Sequence, residues 1–490
     1  MSRTPFVPGP RRAGRLAPEL AEAATSATHP AEVAVTLESV GINDRVARER
    51  YGARDVFALA EYAGVATAGR PRTEPEADPP PAFALAHGPG ASRWFHVRGL
   101  LYAIPALVAL ALLPAGDHVE SGLLLGGLAL SWALGYGVSY LAWSYLGALD
   151  VPAAHRFLRR AILAGAAAAT VVAVVAVFGS LVWTMTMQVT LGTVALLVGQ
   201  TIYLLSAATL LMTGNEARLL IALVPAGVGA VVGTVDGEIA APLAGPAEPG
   251  RGWELGWLAA TVVLALVFAV LATRRAARPK QPLPRTTYVD AVLQVAYGLM
   301  IAVLVLYPAL FELVVSNYDS LPLSVTLAAL PLVLGMGVAE TLLHDHRAAA
   351  ARLLAASGTT AEFARRMRRA MLRAHLQFTA ALAAITVALG GLSAALFDLD
   401  DIRYVVLGVD YLILGTAVFS GMVLNLLGRI ETVLRTAGGA VAALLAFQLL
   451  ADHDVRDVTA ILWQAAVATV LLVVHAVLVR RHAGTPVHHR

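Results

Sequence analysis

The feature that most constrains this chain is a series of continuously apolar runs of about twenty residues, separated by short polar segments. A helix needs about 20 apolar residues to cross the hydrocarbon core of a bilayer. Because the runs do not alternate, they predict helices rather than the strands of a membrane barrel. The composition agrees, since 58% of the residues are hydrophobic and 14% are charged. The sequence therefore predicts an all-α polytopic membrane protein.

The apolar runs predict twelve membrane helices in a 6+6 arrangement of two bundles. The predicted helices are 98–115, 121–147, 161–183, 187–212, 217–236, 254–273, 289–315, 321–343, 375–397, 403–427, 431–450 and 456–479. Half one is residues 94–273, the cytoplasmic link is 274–288 and half two is 289–481. Many transporters consist of such repeats, with the substrate path between them. Any twelve-helix protein can also be cut into two similar halves, so the repeat is a hypothesis.

Basic residues occur in alternate loops. The most basic loop carries Arg365, Arg366, Arg368, Arg369 and Arg373, whereas the intervening loops carry mostly Asp and Glu. Lys and Arg accumulate on the cytoplasmic side of membrane proteins. We therefore predict a multi-pass protein of the bacterial or archaeal inner membrane with both termini in the cytoplasm. The amphipathic pattern from His344 to Arg373 predicts a segment that lies along the membrane surface.

Four further segments lie outside the two halves. Residues 1–29 are rich in Pro, Arg and Ala and are predicted to be a disordered basic N-terminus. Residues 30–65 have a helical pattern and predict a small cytoplasmic helical segment. A Pro-rich linker follows at 66–93. A cytoplasmic tail is predicted at 482–490. The helical segment is too short to be stable without a partner surface. A cytoplasmic glycosyltransferase or another synthesis protein is the partner we expect for it.

Several short runs resemble one known family. They are Ser357-Gly358-Thr359-Thr360-Ala361-Glu362-Phe363-Ala364-Arg365-Arg366, Phe397-Asp398-Leu399-Asp400, Leu426-Leu427-Gly428-Arg429 and Leu211-Met212-Thr213-Gly214-Asn215-Glu216-Ala217-Arg218. Their succession, over roughly residues 98–480, resembles polysaccharide flippases of the multidrug/oligosaccharidyl-lipid/polysaccharide (MOP) exporter superfamily. The resemblance implies two six-helix bundles around a central cavity that opens alternately to each side. It also implies export of a lipid-linked sugar or polysaccharide, with the lipid bilayer as the other partner.

The second predicted helix carries a polar and aromatic face. Trp132, Tyr136, Ser139, Tyr140 and Trp143 share one face, each within about 80° of Trp132 at 100° per residue. Aromatic faces stack against sugar rings and suit amphiphilic substrates. The resemblance implies that this helix lines the central cavity. An interfacial aromatic belt combined with helix packing explains the same residues, and the sequence leaves both interpretations open.

Ionisable side chains within the predicted helices are candidates for coupling transport to a proton or cation. They are Glu340, Glu312 and Asp410. Such groups are costly at membrane depth, so they usually face protein or water and often have a function. Glu340 is the preferred candidate, although it could equally reach the cytoplasmic interface or pair with an arginine. For Glu312 and Asp410 a structural role is the simpler interpretation.

Other polar residues are candidates for the substrate path. Arg98 stands at the cytoplasmic mouth of the first helix, where a basic group could bind a phosphate-linked headgroup, although the positive-inside rule already explains it. Gln294, Tyr297 and Asn425 either line the path or join helices by hydrogen bonds.

The sequence argues against an enzyme. It has no cysteine, no P-loop and no Gly-x-Ser-x-Gly or His-Glu-x-x-His motif. Asp398-Leu399-Asp400 is an Asp-x-Asp of the kind membrane glycosyltransferases use, but its loop is short. We expect no catalytic residue, cofactor, metal or nucleic-acid partner. The alternatives are a secondary transporter of the major-facilitator type, a membrane glycosyltransferase, and a scaffold of a polysaccharide synthesis complex.

Overall fold

The computed structural model describes thirteen stretches of the chain, and all of its described regular structure is helical. They are residues 30–39, 42, 44–67, 98–99, 101, 118–184, 191–234, 252–279, 282–315, 323–357, 359–397, 402–450 and 457–485. The helices are α1 (Pro30–Ser39), α2 (Asp44–Tyr51), α3 (Val56–Thr67), α4 (His118–Gly147), α5 (Val151–Thr184), α6 (Leu191–Met212), α7 (Glu216–Thr234), α8 (Gly252–Ala272), α9 (Arg285–Val315), α10 (Leu323–Ala356), α11 (Thr360–Phe397), α12 (Ile402–Leu426), α13 (Ile430–Leu450) and α14 (Asp457–His482). The predicted all-α membrane fold is confirmed.

Helices α4 to α14 correspond in order to the second to twelfth predicted helices. Within the described stretches, nine helices are long and apolar enough to cross a membrane, and Gly256–Ala272 is a shorter apolar helix. Of the first predicted helix, Arg98, Gly99 and Leu101 belong to the described residues, and the remainder lies outside them. Residues 1–29 and most of the linker at 66–93 also lie outside the described part of the chain.

Three helices exceed their predicted spans by about three turns or more. Helix α5 starts at Val151 instead of 161, α10 continues to Ala356, and α11 starts at Thr360 instead of 375. The segment from His344 to Arg373, which we predicted to lie along the membrane surface, therefore belongs to the ends of two long helices. Hydropathy detects the part of a helix that faces lipid, but Ala, Leu and Arg are strong helix formers that extend a helix beyond it.

The two halves share one backbone corner. Gly214, between α6 and α7, has φ +67°, and Gly428, between α12 and α13, has φ +73°. In each corner the next amide donates five residues back, from Asn215 to Leu210 at 2.8 Å and from Arg429 to Leu424 at 3.0 Å. These left-handed glycines end helices with the bonds of a Schellman-type cap. The same corner at the same place in each half supports the 6+6 repeat.

The chain forms two compact units. One contains Met1–Pro80, Leu343–Ala374 and Val479–Arg490, and the other contains Pro81–Leu342 and His375–Leu478. In the first unit, α1 to α3 pack around a small apolar core that includes Leu37, Val56 and Ala60. The second unit contains the membrane helices of both halves, so it contains the candidate functional site.

Helix α3 begins at a well-defined cap. The Asp55 carboxylate accepts a 2.7 Å hydrogen bond from the Ala58 amide, and this bond, assisted by one from Arg54, lowers the pKa of Asp55. The stabilisation is therefore present above the unfolded-state pKa and is lost as pH falls through the lower folded value.

We expect Asp55→Ala to destabilise α3 by about 1 kcal/mol at neutral pH, the usual cost of losing a cap. Hydrogen exchange of residues 56–67 in the full chain would measure it. The difference from the native chain should begin to shrink as pH falls below about 4, the ordinary pKa of an aspartate, and should disappear below the lower folded pKa. An exchange difference that is independent of pH would contradict this explanation.

Candidate functional site

Helix α4 of half one packs along α9 of half two, and this interface is called the seam. Glycines allow the two helices to approach closely. A Cβ on Gly298 would lie 2.8 Å from the Tyr136 ring and 3.0 Å from the Ala133 Cα, and a Cβ on Gly137 would lie 2.4 Å from a Val295 methyl group. Small residues commonly allow such backbone approach between membrane helices. The two halves are thus in direct contact at the seam.

Aromatic side chains continue the seam toward the end of the bundle where α4 ends and α9 begins, here called the basic end. Tyr136 and Tyr297 make an edge-to-face contact with ring centroids 5.6 Å apart. One turn further, the Tyr140 hydroxyl donates to Asp290 at 3.2 Å. The Tyr145 and Tyr288 hydroxyls lie 3.4 Å apart beyond it. The seam is therefore closed along this stretch by pairs of side chains from opposite halves.

A buried ion cluster joins the two halves at the basic end. It consists of Arg98 and Glu216 of half one and Glu340 of half two, and is called the Arg98 cluster. Arg98 Nη2 lies 2.6 Å from Glu216 Oε1, and Nη1 lies 2.9 Å from Glu340 Oε2. Nη2 also donates to the Leu211 carbonyl at 3.2 Å. The side chains of Arg98, Glu216 and Glu340 are 8%, 6% and 24% exposed.

The cluster depends on a close approach of the residues that follow Arg98 to α10. A Cβ on Gly99 would lie 2.3 Å from the Leu334 carbonyl oxygen and 3.3 Å from the Gly337 amide nitrogen. This backbone contact brings together Arg98, which is one residue before Gly99, and Glu340, which is six residues after Leu334. Charged hydrogen bonds in a partly dry site are strong, but each charge is costly if its partner leaves. The cluster can therefore hold the two halves together only while all three groups are present.

Polar pairs join the helices of half two to one another. The side-chain amides of Gln294 on α9 and Asn425 on α12 exchange two hydrogen bonds of 2.9 Å. His475 on α14 lies 3.0 Å from the Ala417 carbonyl and 2.8 Å from the Thr436 hydroxyl of α13. Since the Ala417 carbonyl can only accept, Nδ1 of His475 is the protonated nitrogen in this bond. These contacts favour a rigid second half.

Asp410 is the least compensated ionisable group of the described helices. It lies about two turns into α12, is fully buried, and neither carboxyl oxygen has a hydrogen-bond partner among the described residues. A buried polar group without a partner costs about 1–3 kcal/mol, and more if charged. A group kept at this cost is a candidate to bind and release a proton or cation.

The predicted site residues fall into three groups in the structure. Arg98 with Glu340, Tyr136 with Tyr297, and Gln294 with Asn425 are brought together in pairs. Trp143 packs with Ala142, Leu158 and Met212 inside half one. The remaining five are Tyr140, whose partner Asp290 was not a predicted site residue, Trp132 and Ser139, which are partly buried on α4, Asp410, and Glu312, whose side chain lies outside the described residues.

Two residues of the site were missed by the sequence reasoning. Glu216 was named only within a run that carries the family resemblance, and Asp290 was not singled out. A signal existed for Glu216, because a carboxylate in the first turn of a helix at a membrane boundary is stabilised by the helix dipole and is available to a nearby arginine. For Asp290 no sequence signal identifies Tyr140, 150 residues away, as its partner.

Half one also contains a small cleft. It has a volume of about 160 Å³ and lies between α4, α5 and α6, lined mainly by small and apolar residues such as Gly126, Gly165 and Leu197. The hydroxyls of Ser131 and Thr201 lie 3.0 Å apart at its wall. The cleft is lined by residues of half one, and its lining includes none of the seam residues described above.

Comparison with known proteins supports the fold. No protein-family model and no curated protein matches the chain. A solved structure described as MATE in complex with MaL6 has a TM-score of 0.53 at 13% identity and covers 83% of this chain and 99% of its own. The outward-facing conformation of a multidrug resistance MATE family transporter of the MOP superfamily has a TM-score of 0.52 at 14% identity, with the same coverage. The chain thus shares the fold of these proteins.

Proposed function

We propose that this chain is a transporter that works by alternating access between its two halves, and that it exports a lipid-linked sugar or polysaccharide. The Arg98 cluster is the observation that carries the proposal. It is a closure between halves made of a few discrete contacts, Arg98 to Glu340 and Gly99 to Leu334, at one end of the bundle. Such a closure can break as a unit, and interfaces with two discrete arrangements underlie switching between states.

The positive-inside rule gives this closure a direction. The basic end carries Arg156, Arg159 and Arg160 at the start of α5 and Arg285 at the start of α9, so it faces the cytoplasm. The chain is then closed on the cytoplasmic side. The fold it shares with an outward-facing MATE transporter supports this assignment.

The lipid-linked sugar is supported by the aromatic seam and by the sequence resemblance. Tyr136, Tyr140 and Tyr297 offer ring faces and hydroxyl groups where the halves separate, and this combination binds the apolar face and hydroxyls of a sugar ring. The Arg98 guanidinium is engaged by two carboxylates in this state. A phosphate group would therefore reach it only after the cluster opens.

An amphiphilic cation is a second candidate substrate, favoured by the excess of carboxylates. Three carboxylates lie in or near the interface between the halves, those of Glu216, Glu340 and Asp290. A fourth, Asp410, is buried in half two. The Arg98 cluster contains a single guanidinium to balance them. A negative interior attracts cations. The solved structures that share this fold include a multidrug resistance transporter.

Reconstituted full-length protein can distinguish these substrates. We expect liposomes containing it to translocate a fluorescent polyprenyl-diphosphate-linked sugar, assayed by quenching of the probe in the outer leaflet. Ethidium accumulation, measured in parallel under an imposed proton gradient, tests the cation. Transport of ethidium alone would replace the first substrate with the second, and transport of neither probe by correctly folded protein would contradict the proposal.

Asp410 is the group we propose to couple transport to a cation or proton. Asp410→Asn is expected to slow transport at least about tenfold, which corresponds to about 1.4 kcal/mol in the barrier. Glu431→Gln is the matched control, because the Glu431 side chain is 69% exposed and pairs with Arg435 at 3.0 Å. The control should keep a rate within about twofold of the native chain. Equal rates for the two variants would remove Asp410 from the mechanism.

A further inference from the structure

Three arginines form a stripe along one side of α11. Arg365, Arg369 and Arg373 follow one another at intervals of four residues, so each lies about 40° around the helix from the previous one. All three side chains are exposed. This arrangement presents three positive charges in one direction along about 12 Å of helix.

The same stripe becomes apolar immediately afterwards. Leu372, Leu376 and Val387 are 60%, 61% and 75% exposed. Together with the three arginines they occupy one sector of the helix about 100° wide. Large apolar side chains exposed on a membrane-spanning helix face lipid. The arginine stripe therefore also faces the bilayer, at the level where this helix leaves the hydrocarbon.

Helix geometry places the arginines at headgroup depth. At 1.5 Å per residue, Arg373 lies about 4.5 Å and Arg369 about 10 Å along the axis from Leu376. The polar layer on each side of the hydrocarbon core is about 5–8 Å thick. With Leu376 taken as the last side chain in the hydrocarbon and the helix along the membrane normal, Arg373 lies within this layer, Arg369 near its outer boundary and Arg365 beyond it.

The three arginines of this stripe form no ion pair among the described residues. Neighbouring Arg366 pairs with Glu362 at 2.6 Å, and Arg368 lies against Gly484. For Arg365, Arg369 and Arg373, no carboxylate lies within ion-pair distance in the part of the chain that the structure describes. Arginine binds phosphate oxygens through paired N–H donors, which makes phosphate the complementary group at this depth.

We infer that Arg369 and Arg373, with Arg365 at the edge, form a binding surface for the phosphate groups of anionic phospholipids in the leaflet at the basic end. The proposal is independent of the transported substrate. A zwitterionic lipid carries a positive group beside its phosphate, so the surface should select phosphatidylglycerol over phosphatidylcholine. Each basic residue near an anionic lipid surface contributes about fivefold to binding.

Native mass spectrometry of the full-length protein in detergent, titrated with either lipid, tests this surface. Phosphatidylglycerol should bind to the native chain more tightly than phosphatidylcholine. The double variant Arg369→Gln/Arg373→Gln should lose about thirtyfold in affinity for phosphatidylglycerol and change little toward phosphatidylcholine. Arg369→Lys/Arg373→Lys keeps both charges and should retain most of the preference.

Arg435→Gln is the control for a generic loss of charge. Its side chain is 78% exposed near the start of α13, and Glu431 already neutralises it at 3.0 Å, so phosphatidylglycerol affinity should stay within about twofold. Equal affinity of the native chain for both lipids would overturn the inference, as would unchanged affinity in the double glutamine variant. Displacement of the lipid by inorganic phosphate at equal concentration would assign the surface to free phosphate instead.

Discussion

Arg98→Met is expected to lower the free energy of unfolding by about 3–5 kcal/mol and to separate the two halves at the basic end. The variant removes the guanidinium that pairs with both Glu216, whose side chain is 6% exposed, and Glu340. An uncompensated buried charge costs far more than the net value of the pair that it formed. Thermal unfolding in detergent measures the stability.

Two further variants separate the charge effect from lost packing. Arg98→Met/Glu216→Gln also removes the charge of one of the two carboxylates that pair with Arg98. It should recover part of the lost free energy of unfolding, and a double-mutant cycle then gives the coupling energy. Arg435→Met breaks an exposed ion pair, in which both side chains are more than two-thirds exposed, and should cost about 0–1 kcal/mol. If Arg98→Met costs no more than Arg435→Met, the Arg98 cluster does not hold the halves together.

Gly298→Ala and Gly99→Ala are expected to open the same end of the bundle without changing any charge. The added methyl groups would meet backbone atoms, the Ala133 Cα at 3.0 Å and the Leu334 carbonyl oxygen at 2.3 Å, and helix backbone cannot rotate away as a side chain can. Overpacking of this kind costs about 1–3 kcal/mol. The closed state bears that cost, so the population should shift toward the open state.

The chain contains no cysteine, so spin labels can be attached at chosen positions. Ala148→Cys and Val289→Cys place labels on exposed residues beyond the Tyr145–Tyr288 pair, one in each half. The distance distribution should broaden toward longer separations in both alanine variants. Gly135→Ala is the matched control on α4, because a Cβ there meets nothing within 4 Å. Identical distributions in Gly135→Ala and Gly298→Ala would show that the seam tolerates the methyl group.

Hydropathy predicted the position of most membrane helices but not where they end. It correctly identified α4 and α12 to within a few residues, because both ends of each helix coincide with the end of the apolar run. It failed at α11, whose first fifteen residues include the five arginines that we read as a loop. A helix outside lipid is held by propensity and packing, such as the burial of Phe363 and Met367, and neither leaves a hydropathy signal.

The contents of the candidate site were predictable as residue types but not as pairs. The cost of burying a charge predicted that Glu340 has a role, and pairing with an arginine was one of the alternatives. Which arginine could not be predicted, since Arg98 and Glu340 are separated by 242 residues. The same holds for Gln294 and Asn425. Proximity of this kind arises from the packing of two halves, which no local pattern encodes.

The corners at Gly214 and Gly428 have a consequence for how the protein moves. Each corner is only three residues long. The backbone hydrogen bonds of the next helix begin immediately, from the Leu219 amide to the Asn215 carbonyl and from the Val433 amide to the Arg429 carbonyl. These hydrogen bonds leave no unbonded linker at either corner, so we expect α6 to move together with α7, and α12 together with α13. In the proposed transport cycle the displacement between halves then has to occur elsewhere. Residues 273–279 and 282–284, which the structure describes as non-helical between α8 and α9, join the two halves and are suited to act as the pivot.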